Sequence, residues 1–259
     1  MTIIKSPHFF KVFSLIFFIS FCSFGANASK NLTIFSEPNL AVAMTKIARH
    51  YSKKYNIITS INFNSPYNLI GDIDMGEAAD VFITANDEVI ESLKLKGLVD
   101  IYNIAVIGQD YLNLVTSNNN KLISPILYNN DNDIIESLKI LNKKKATLIL
   151  DNYSSSSGRI SSKLIKKLNL NNFKLFNKIT EDRSPLATSI TSNDNYYSLI
   201  LDSQIYNNKN IKVIAKSSDI FAQYKILIIA GNNMDVARQF LNFIKSKKAK
   251  EILKSSGVN

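Results

Sequence analysis

One stretch of the chain, residues 31–55, restricts most strongly what this sequence can fold into. It begins with an apolar, β-prone run at residues 32–35, passes through a turn of small and breaker residues, and then places apolar residues at helical spacing. The apolar helix positions are Leu40, Ala43, Met44, Ile47 and Tyr51. Asn39 stands where a helix N-cap is expected. Because the first N–H groups of a helix lack intrahelical partners and lie at the positive end of its dipole, the sequence predicts a strand–turn–helix unit suited to binding an anion.

The first 28 residues predict an export signal rather than a part of the fold. Two lysines precede an apolar segment at residues 12–21, which is shorter than the ~20 residues of a membrane-spanning helix, and Ala-Asn-Ala at residues 26–28 fits a cleavage site. We therefore expect cleavage after Ala28 and a mature protein in the periplasm. A lipid anchor on Cys22 is the alternative, and the bulky aromatic residue immediately before that cysteine argues against it.

Composition argues against several classes of function. Cys22 is the only cysteine, so the mature protein would have neither a disulfide nor thiol chemistry. The formal charge of +10 becomes +8 without Lys5 and Lys11, but the lysines are scattered rather than gathered into a basic stripe, so we expect no nucleic-acid partner. His50 is the only histidine after the signal, and no zinc cluster, nucleotide-binding glycine motif or nucleophile elbow is found. We therefore predict neither an enzyme nor a bound metal or cofactor.

The rest of the chain alternates between strand and helix patterns. Up to residue 116 the order is β-α-β-α-β-α-β, which predicts a parallel lobe with right-handed connections. A second α/β set follows a polar link, and the final helices are expected to return to the first lobe. We place the first lobe at residues 29–112, the second at residues 113–208 and the return segment at residues 209–259. Two lobes fit these patterns better than one continuous sheet, and they leave a cleft where helix N-termini can converge.

Two regions of the sequence each predict a pair of short strands separated by polar residues. The first pair is expected at residues 104–108 and 111–116, and the second at residues 212–215 and 224–230.

Several segments resemble, in the same order along the chain, the periplasmic molybdate-binding proteins of ABC importers. Residues 76–85, GEAADVFITA, are similar to the most specific local signature of that family. Gly158-Arg159, Glu181-Asp182 and the helix pair at residues 240–258 match further family segments. The resemblance spans residues 30–258.

The resemblance implies an α/β fold of the two-lobed type II periplasmic binding protein class, with a mixed, mostly parallel sheet flanked by helices in each lobe. It also implies that the protein carries a tetrahedral oxyanion, molybdate or tungstate, to a membrane permease. We expect a monomer. Helix starts that face away from a common cavity, or a cavity lined by carboxylates, would contradict this expectation.

The family is expected to hold its oxyanion with hydroxyls and backbone N–H groups. By resemblance, the serine of its first strand-to-helix turn aligns with Asn39, which can donate a hydrogen bond or serve only as a cap. The serine of the second turn aligns with Pro66, so the neighbouring Ser65 is the substitute donor or simply a turn residue. The small residue that precedes the glycine of the family's Gly-Arg segment aligns with Ser157, which lies in a run of four serines.

Two further positions change the expected ligand shell. Arg183 replaces a valine and can contact an anion bidentately, or it can pair with the neighbouring acidic residues. The tyrosine that closes the family's pocket aligns with Leu201. A site with altered donors implies an altered ligand or weaker binding.

Two other functions stay open at this level. The same fold can bind a ferric ion or a small organic anion, and the tandem tyrosines Tyr196 and Tyr197 would supply phenolate ligands for iron, although packing beside a strand also explains them. Alternatively, the chain is a surface protein that kept the scaffold and lost transport.

Overall fold

The computed structural model describes residues 30–120, 133–177, 190, 196–206, 208–231 and 233–259. Its strands are β1 (Asn31–Ser36), β2 (Ile58–Phe63), β3 (Val81–Thr84), β4 (Ala105–Ser117), β5 (Thr147–Leu150), β6 (Lys174–Asn177), β7 (Tyr196–Leu201) and β8 (Ile211–Ile228). Its helices are α1 (Ala41–Tyr55), α2 (Pro66–Asp74), α3 (Asp87–Leu95), α4 (Ile134–Lys143), α5 (Ser156–Lys167), α6 (Asp202–Ile205), α7 (Met234–Ile244) and α8 (Lys247–Lys254). Two short 3-10 turns lie at Pro38–Leu40 and Ile101–Asn103.

The described strands form one eight-stranded sheet in the order β2-β1-β3-β8-β4-β7-β5-β6. Two flanks of this sheet are parallel, β2-β1-β3 and β7-β5-β6. The long strands β4 and β8 lie between them and pair antiparallel with each other. β3 joins one end of this central pair, with Val81 opposite Ile228, and β7 joins its other end, with Thr116 opposite Tyr197. The two flanks therefore extend from opposite ends of a shared pair of strands.

This topology corrects two expectations. The fourth strand does not continue the first parallel set, because β8 from the far end of the chain pairs between β3 and β4. The two predicted pairs of short strands are instead the two continuous strands β4 and β8, and hydrogen bonding runs unbroken across the whole sheet. Register shifts along β4, including one between Val106 and Gly108, accommodate the polar residues that had suggested breaks.

An aromatic cluster fixes the end of the chain against α1. The ring of Tyr51 packs edge-on against Phe240 at a centroid distance of 5.0 Å, and Tyr55 packs edge-on against Phe243 at 6.0 Å. The Tyr51 hydroxyl donates to Gln239 Oε1 at 2.9 Å. Burial and the neighbouring Tyr55 raise the pKa of Tyr51 to about 12. Helices α7 and α8 thus pack beside the amino-terminal unit.

The amino end of α1 differs from the prediction. Asn39 is not an N-cap: it lies inside the 3-10 turn, and Glu37 precedes that turn in an extended conformation. Pro38 explains the shift, because proline is favoured at the first helical position and starts the helical rotation earlier. The Asn39 side chain is therefore free to contact another element.

Within the described residues, no helix combines the length and apolar character needed to cross a membrane. The predicted signal peptide and the possible anchor at Cys22 lie outside the described residues.

Candidate functional site

Three chain segments meet at the side chain of Glu37. One carboxylate oxygen, Oε1, accepts hydrogen bonds from Thr84 Oγ1 at 2.6 Å and from the backbone N–H of Ala85 at 2.8 Å. The other, Oε2, accepts a hydrogen bond from Ser156 Oγ at 2.5 Å. Thr84 is the last residue of β3 and Ala85 follows it, whereas Ser156 begins α5, which packs on the other half of the sheet. We call the three donors, Thr84, Ala85 and Ser156, the cradle.

The cradle has the properties of an anion site. Glu37 is only 1% exposed, and Thr84 and Ser156 are also buried. An ionised carboxylate can only accept hydrogen bonds, so all three donors suit its charge. The amino end of α5 adds the positive end of a helix dipole and N–H groups that lack intrahelical partners. The protein thus binds a carboxylate of its own at the point where helix starts were expected to converge.

Arg159 supplies a positive charge beside this carboxylate. Its Nη2 donates to the carbonyl oxygen of Ala85 at 3.1 Å and to Ser156 Oγ at 3.2 Å. The side chain is 4% exposed, and Nη1 has no hydrogen-bond partner within the described residues. A buried guanidinium N–H without a partner is costly, so Arg159 keeps a donor available for a bound group.

Asn86 presents a second donor of this kind. It is fully buried and follows Ala85 directly. Its Oδ1 caps α3 by accepting from the N–H of Glu88 at 3.1 Å, while its Nδ2 has no partner within the described part of the chain. Two buried donors that lack partners among the described residues, Arg159 Nη1 and Asn86 Nδ2, therefore lie near the cradle residue Ala85.

Asn39 and Tyr224 form another polar contact near the cradle. Asn39 Nδ2 donates to the hydroxyl of Tyr224, a fully buried residue of β8. Burial raises the pKa of Tyr224 well above its usual value, and the negative charges of Glu37 and Asp110 add to this effect. Tyr224 therefore keeps its proton and can donate a hydrogen bond. This phenol comes from a strand to which the sequence assigned no ligand role.

Ser157 and Leu201 are joined by a chain of hydrogen bonds. Ser157 Oγ donates to Asp151 Oδ2 at 2.7 Å, and Gln204 Nε2 lies 3.5 Å from the same oxygen. The N–H of Leu201 donates to Gln204 Oε1 at 2.9 Å, and the Leu201 side chain is buried in the core. Ser157 adjoins the cradle residue Ser156, but its hydroxyl is already used by Asp151.

Two predicted residues remain, Ser65 and Arg183. Ser65 caps α2, where its Oγ accepts from the N–H of Asn68 at 3.3 Å, and its described hydrogen bonds do not join it to the cradle. Arg183 and its acidic neighbours lie outside the described residues. The roles assigned by resemblance to Asn39, Ser65, Ser157, Arg183 and Leu201 stay predictions.

Sequence reasoning gave no ligand role to Glu37, Thr84, Arg159 or Tyr224. One signal was available for Arg159, because a cation in the first turn of a helix is disfavoured by the helix dipole and requires a nearby anion. No local pattern identified that anion, since Glu37 lies 119 positions from its partner Ser156.

A surface contact joins α3 and α5 outside the cradle. Glu88 lies 3.5 Å from Lys163 Nζ and accepts a hydrogen bond from the Tyr67 hydroxyl at 2.8 Å. The bond from Tyr67 and the charge of Lys163 lower the pKa of Glu88. The ion pair is exposed, and exposed pairs contribute little to stability.

The opposite end of α1 borders a broad depression of about 1010 Å³. Lys30, Arg49 and Lys53 give it a positive rim. The depression lies roughly 20 Å from Glu37, because α1 rises about 1.5 Å for each of its residues. None of its lining residues belongs to the predicted ligand site.

The described residues give no support to a ferric site. They contain no group of three or more histidine, cysteine, aspartate or glutamate side chains that could hold a metal ion. Tyr197 is buried at the start of β7, and burial raises the pKa of its phenol, which favours the protonated form over a metal-binding phenolate.

Comparisons with known proteins agree with this fold. A family model described as "Bacterial extracellular solute-binding protein" matches residues 32–259. The molybdate-binding protein ModA of Haemophilus influenzae is 23% identical over 251 residues, which cover 90% of this chain and 92% of that protein.

Solved structures show the same architecture. The tungstate ABC transporter protein of Geobacter sulfurreducens superposes with a TM-score of 0.70 at 16% identity, over 88% of this chain and 99% of that one. L-phospholactate-bound PEB3 superposes with a TM-score of 0.62 at 15% identity, over 88% and 99% of the two chains. The predicted fold class and the predicted resemblance are confirmed.

Proposed function

Since the chain belongs to the bacterial extracellular solute-binding protein family, we propose that it is the exported binding component of an ABC importer and that it carries a small oxyanion. Molybdate and tungstate are the first candidates, because ModA of Haemophilus influenzae is a molybdate-binding protein and the Geobacter sulfurreducens protein belongs to a tungstate transporter. The protein delivers its guest to a membrane permease and performs no catalysis.

One observation carries the proposal: donors from both halves of the sheet converge on a single buried anionic group. Thr84 Oγ1, the Ala85 N–H and Ser156 Oγ all point to the Glu37 carboxylate, at distances of 2.5 to 2.8 Å. Hydroxyls, a backbone N–H and a helix start are the groups that bind oxyanions without salt bridges. Arg159 Nη1 and Asn86 Nδ2 add two buried donors without partners in the described residues.

The guest is proposed to lie between two lobes. We assign residues 29–112 and 209–259 to one lobe and residues 113–208 to the other, and we propose export with removal of the signal peptide after Ala28. Strands β4 and β8 run through both proposed lobes, because residues 211–216 of β8 pair with residues 113–117 of β4. Asn39 adjoins the cradle, and we propose it as a further donor. We propose Ser157 as a donor only through its backbone N–H at the start of α5, because its hydroxyl donates to Asp151.

The first test is a ligand screen on the mature chain. Molybdate, tungstate, sulfate and phosphate are added at constant ionic strength, with chloride as the control anion. A guest present at 100 times its Kd adds about 2.7 kcal/mol of stability, and a chain of this size then melts roughly 5–10 °C higher. No shift with any of the four oxyanions would contradict the proposal.

A matched variant separates specific binding from general attraction to positive charge. Arg49→Met removes a charge from the depression at the far end of α1 and should leave the thermal shift unchanged. A shift that disappears in this variant would place the anion in the depression instead of the cradle.

A carboxylate guest is the second candidate. The cradle already binds a carboxylate, that of Glu37, through three hydrogen bonds. The same screen should therefore include L-phospholactate and a simple dicarboxylate. A shift with these compounds and none with the tetrahedral oxyanions would favour this candidate.

A further inference from the structure

The buried carboxylate of Glu37 occupies the donors that a guest anion needs. We propose that Glu37 is an internal competitor for the cradle: its carboxylate holds the two halves together when the site is empty, and a guest binds by displacing it. Glu37 thereby becomes a specificity-determining residue. The inference rests on the proposed function, because it takes the guest to be an anion.

The contacts of Glu37 bridge the two halves of the sheet. Its backbone follows β1, and its Oε1 is held by Thr84 and Ala85 at the end of β3, in the same flank. Its Oε2 is held by Ser156 at the start of α5, on the other side. A single side chain thus makes, in the described structure, the contacts that a bound anion would make between the two sides.

The three cradle donors cannot serve Glu37 and a guest anion at the same time. Thr84 and Ser156 each have one hydroxyl hydrogen, and the Ala85 N–H has one, so all three are used by Glu37. A second anion beside an ionised Glu37 would find these donors taken and would meet a like charge in a poorly hydrated site. A guest therefore gains the cradle only when the carboxylate leaves it.

The side chain of Glu37 is suited to such an exchange. It has three rotatable bonds, whereas Pro38 restricts the backbone that follows it. Rotation about these bonds is the movement by which the carboxylate, now 1% exposed, would leave the cradle. Arg159 does not depend on Glu37 for its position, because its Nη2 is anchored on Ala85 O and Ser156 Oγ. The positive charge stays in place for the guest.

Displacement also selects among guests. A guest must present an anionic group with several acceptor positions to regain the three hydrogen bonds that the carboxylate loses. Neutral solutes and weak acceptors cannot do so. The competitor therefore lowers the affinity for every guest, and it disfavours poor acceptors most.

Glu37→Gln tests the inference because glutamine has nearly the same shape and no charge. Its oxygen can still accept from Thr84 and Ala85, so the fold should tolerate it. Binding of molybdate and tungstate is measured by titration calorimetry at constant ionic strength. Because neutral hydrogen bonds are weaker than charge-assisted ones, we expect the variant to bind about tenfold more tightly than the unchanged protein. Equal or weaker binding would overturn the inference.

Glu88→Gln is the matched control. It removes another carboxylate that links α3 with α5, but its pair with Lys163 is exposed. Its affinity should stay within about twofold of the unchanged protein, since exposed pairs contribute little. An increase equal to that of Glu37→Gln would overturn the inference, because the gain would then reflect general loss of negative charge.

Small-angle scattering requires no guest, and it tests the Glu37 bridge separately from anion binding. If no anion binds to either protein, the proposed function and the competition both fail, and small-angle scattering of the guest-free proteins still decides whether Glu37 bridges the two halves. We expect a larger radius of gyration for Glu37→Gln, and for Glu37→Ala as a second variant, because the bridging carboxylate is lost. Radii equal to that of the unchanged protein would overturn the proposed bridge.

Discussion

Arg159 offers the sharpest test of the cradle's electrostatics, because it is a buried cation in an unfavourable position. It lies in the first turn of α5, where the helix dipole opposes a positive charge, and it is 4% exposed. In the described part of the chain, Ala85 O and Ser156 Oγ accept its hydrogen bonds, and the carboxylates of Glu37 and Glu88 contribute negative charge nearby. Arg159→Met removes the charge and keeps a long apolar side chain in the same space.

The expected loss follows from the contacts of its guanidinium. Nη2 makes two hydrogen bonds, to Ala85 O and Ser156 Oγ. Each hydrogen bond from a charged donor stabilises the fold by about 1.5–3 kcal/mol. Removal of Nη1, which has no partner among the described residues, relieves a penalty of about 1–3 kcal/mol and partly offsets this loss. Glu37 also loses its neighbouring cation. We therefore expect a net loss of about 2 kcal/mol, which lowers the urea midpoint by roughly 1 M for a denaturant slope near 2 kcal/mol per M.

The assay is equilibrium unfolding in urea followed by far-ultraviolet circular dichroism, since the chain has no tryptophan. Arg49→Met, an exposed change on α1, is the control and should shift the midpoint little. An Arg159→Met midpoint equal to that of Arg49→Met would refute the reasoning. It would show that the guanidinium does not compensate Glu37 in the folded state.

Three further predictions concern the framework of the site. Phe240→Ala should destabilise the protein by about 3–5 kcal/mol in urea unfolding, because its ring is fully buried against Tyr51; a loss below 1 kcal/mol would contradict the observed packing. Gly158→Ala should abolish anion binding and lower the melting temperature, because the new Cβ would lie 2.1 Å from the carbonyl oxygen of Asn152; an unchanged protein would show that the start of α5 can move freely. Burial raises the pKa of Asp110 to about 7, so folding takes up a proton and the free energy of unfolding should fall as the pH rises from about 4 to 7; Asp110→Asn should flatten this dependence, and an unchanged slope would contradict the assignment.

Local sequence patterns predicted the elements that depend on neighbours along the chain. The first strand, the helix after it and the last helix, at Lys247–Lys254, follow from apolar spacing. The fold class followed from the order of motifs. These features are decided within a few residues, and a single sequence contains the information for them.

Contacts between residues far apart in the sequence could not be predicted from local patterns. The insertion of β8 between β3 and β4 pairs Val81 with Ile228, and no local pattern shows this pairing. The cradle joins Glu37 to Ser156 and Arg159 to Ala85, across 119 and 74 positions. Glu37 looked like an ordinary turn residue, and only the folded chain shows that its carboxylate is buried among three donors.

The position of a bound anion tests the account most directly. Crystals of the mature protein grown with tungstate allow the tungsten atom to be located by its anomalous scattering. The account predicts a peak within hydrogen-bond reach of Thr84, Ala85 and Ser156, with the Glu37 carboxylate turned out of the cradle. A structure in which Glu37 stays on these donors while tungsten lies elsewhere, or is absent, would contradict it.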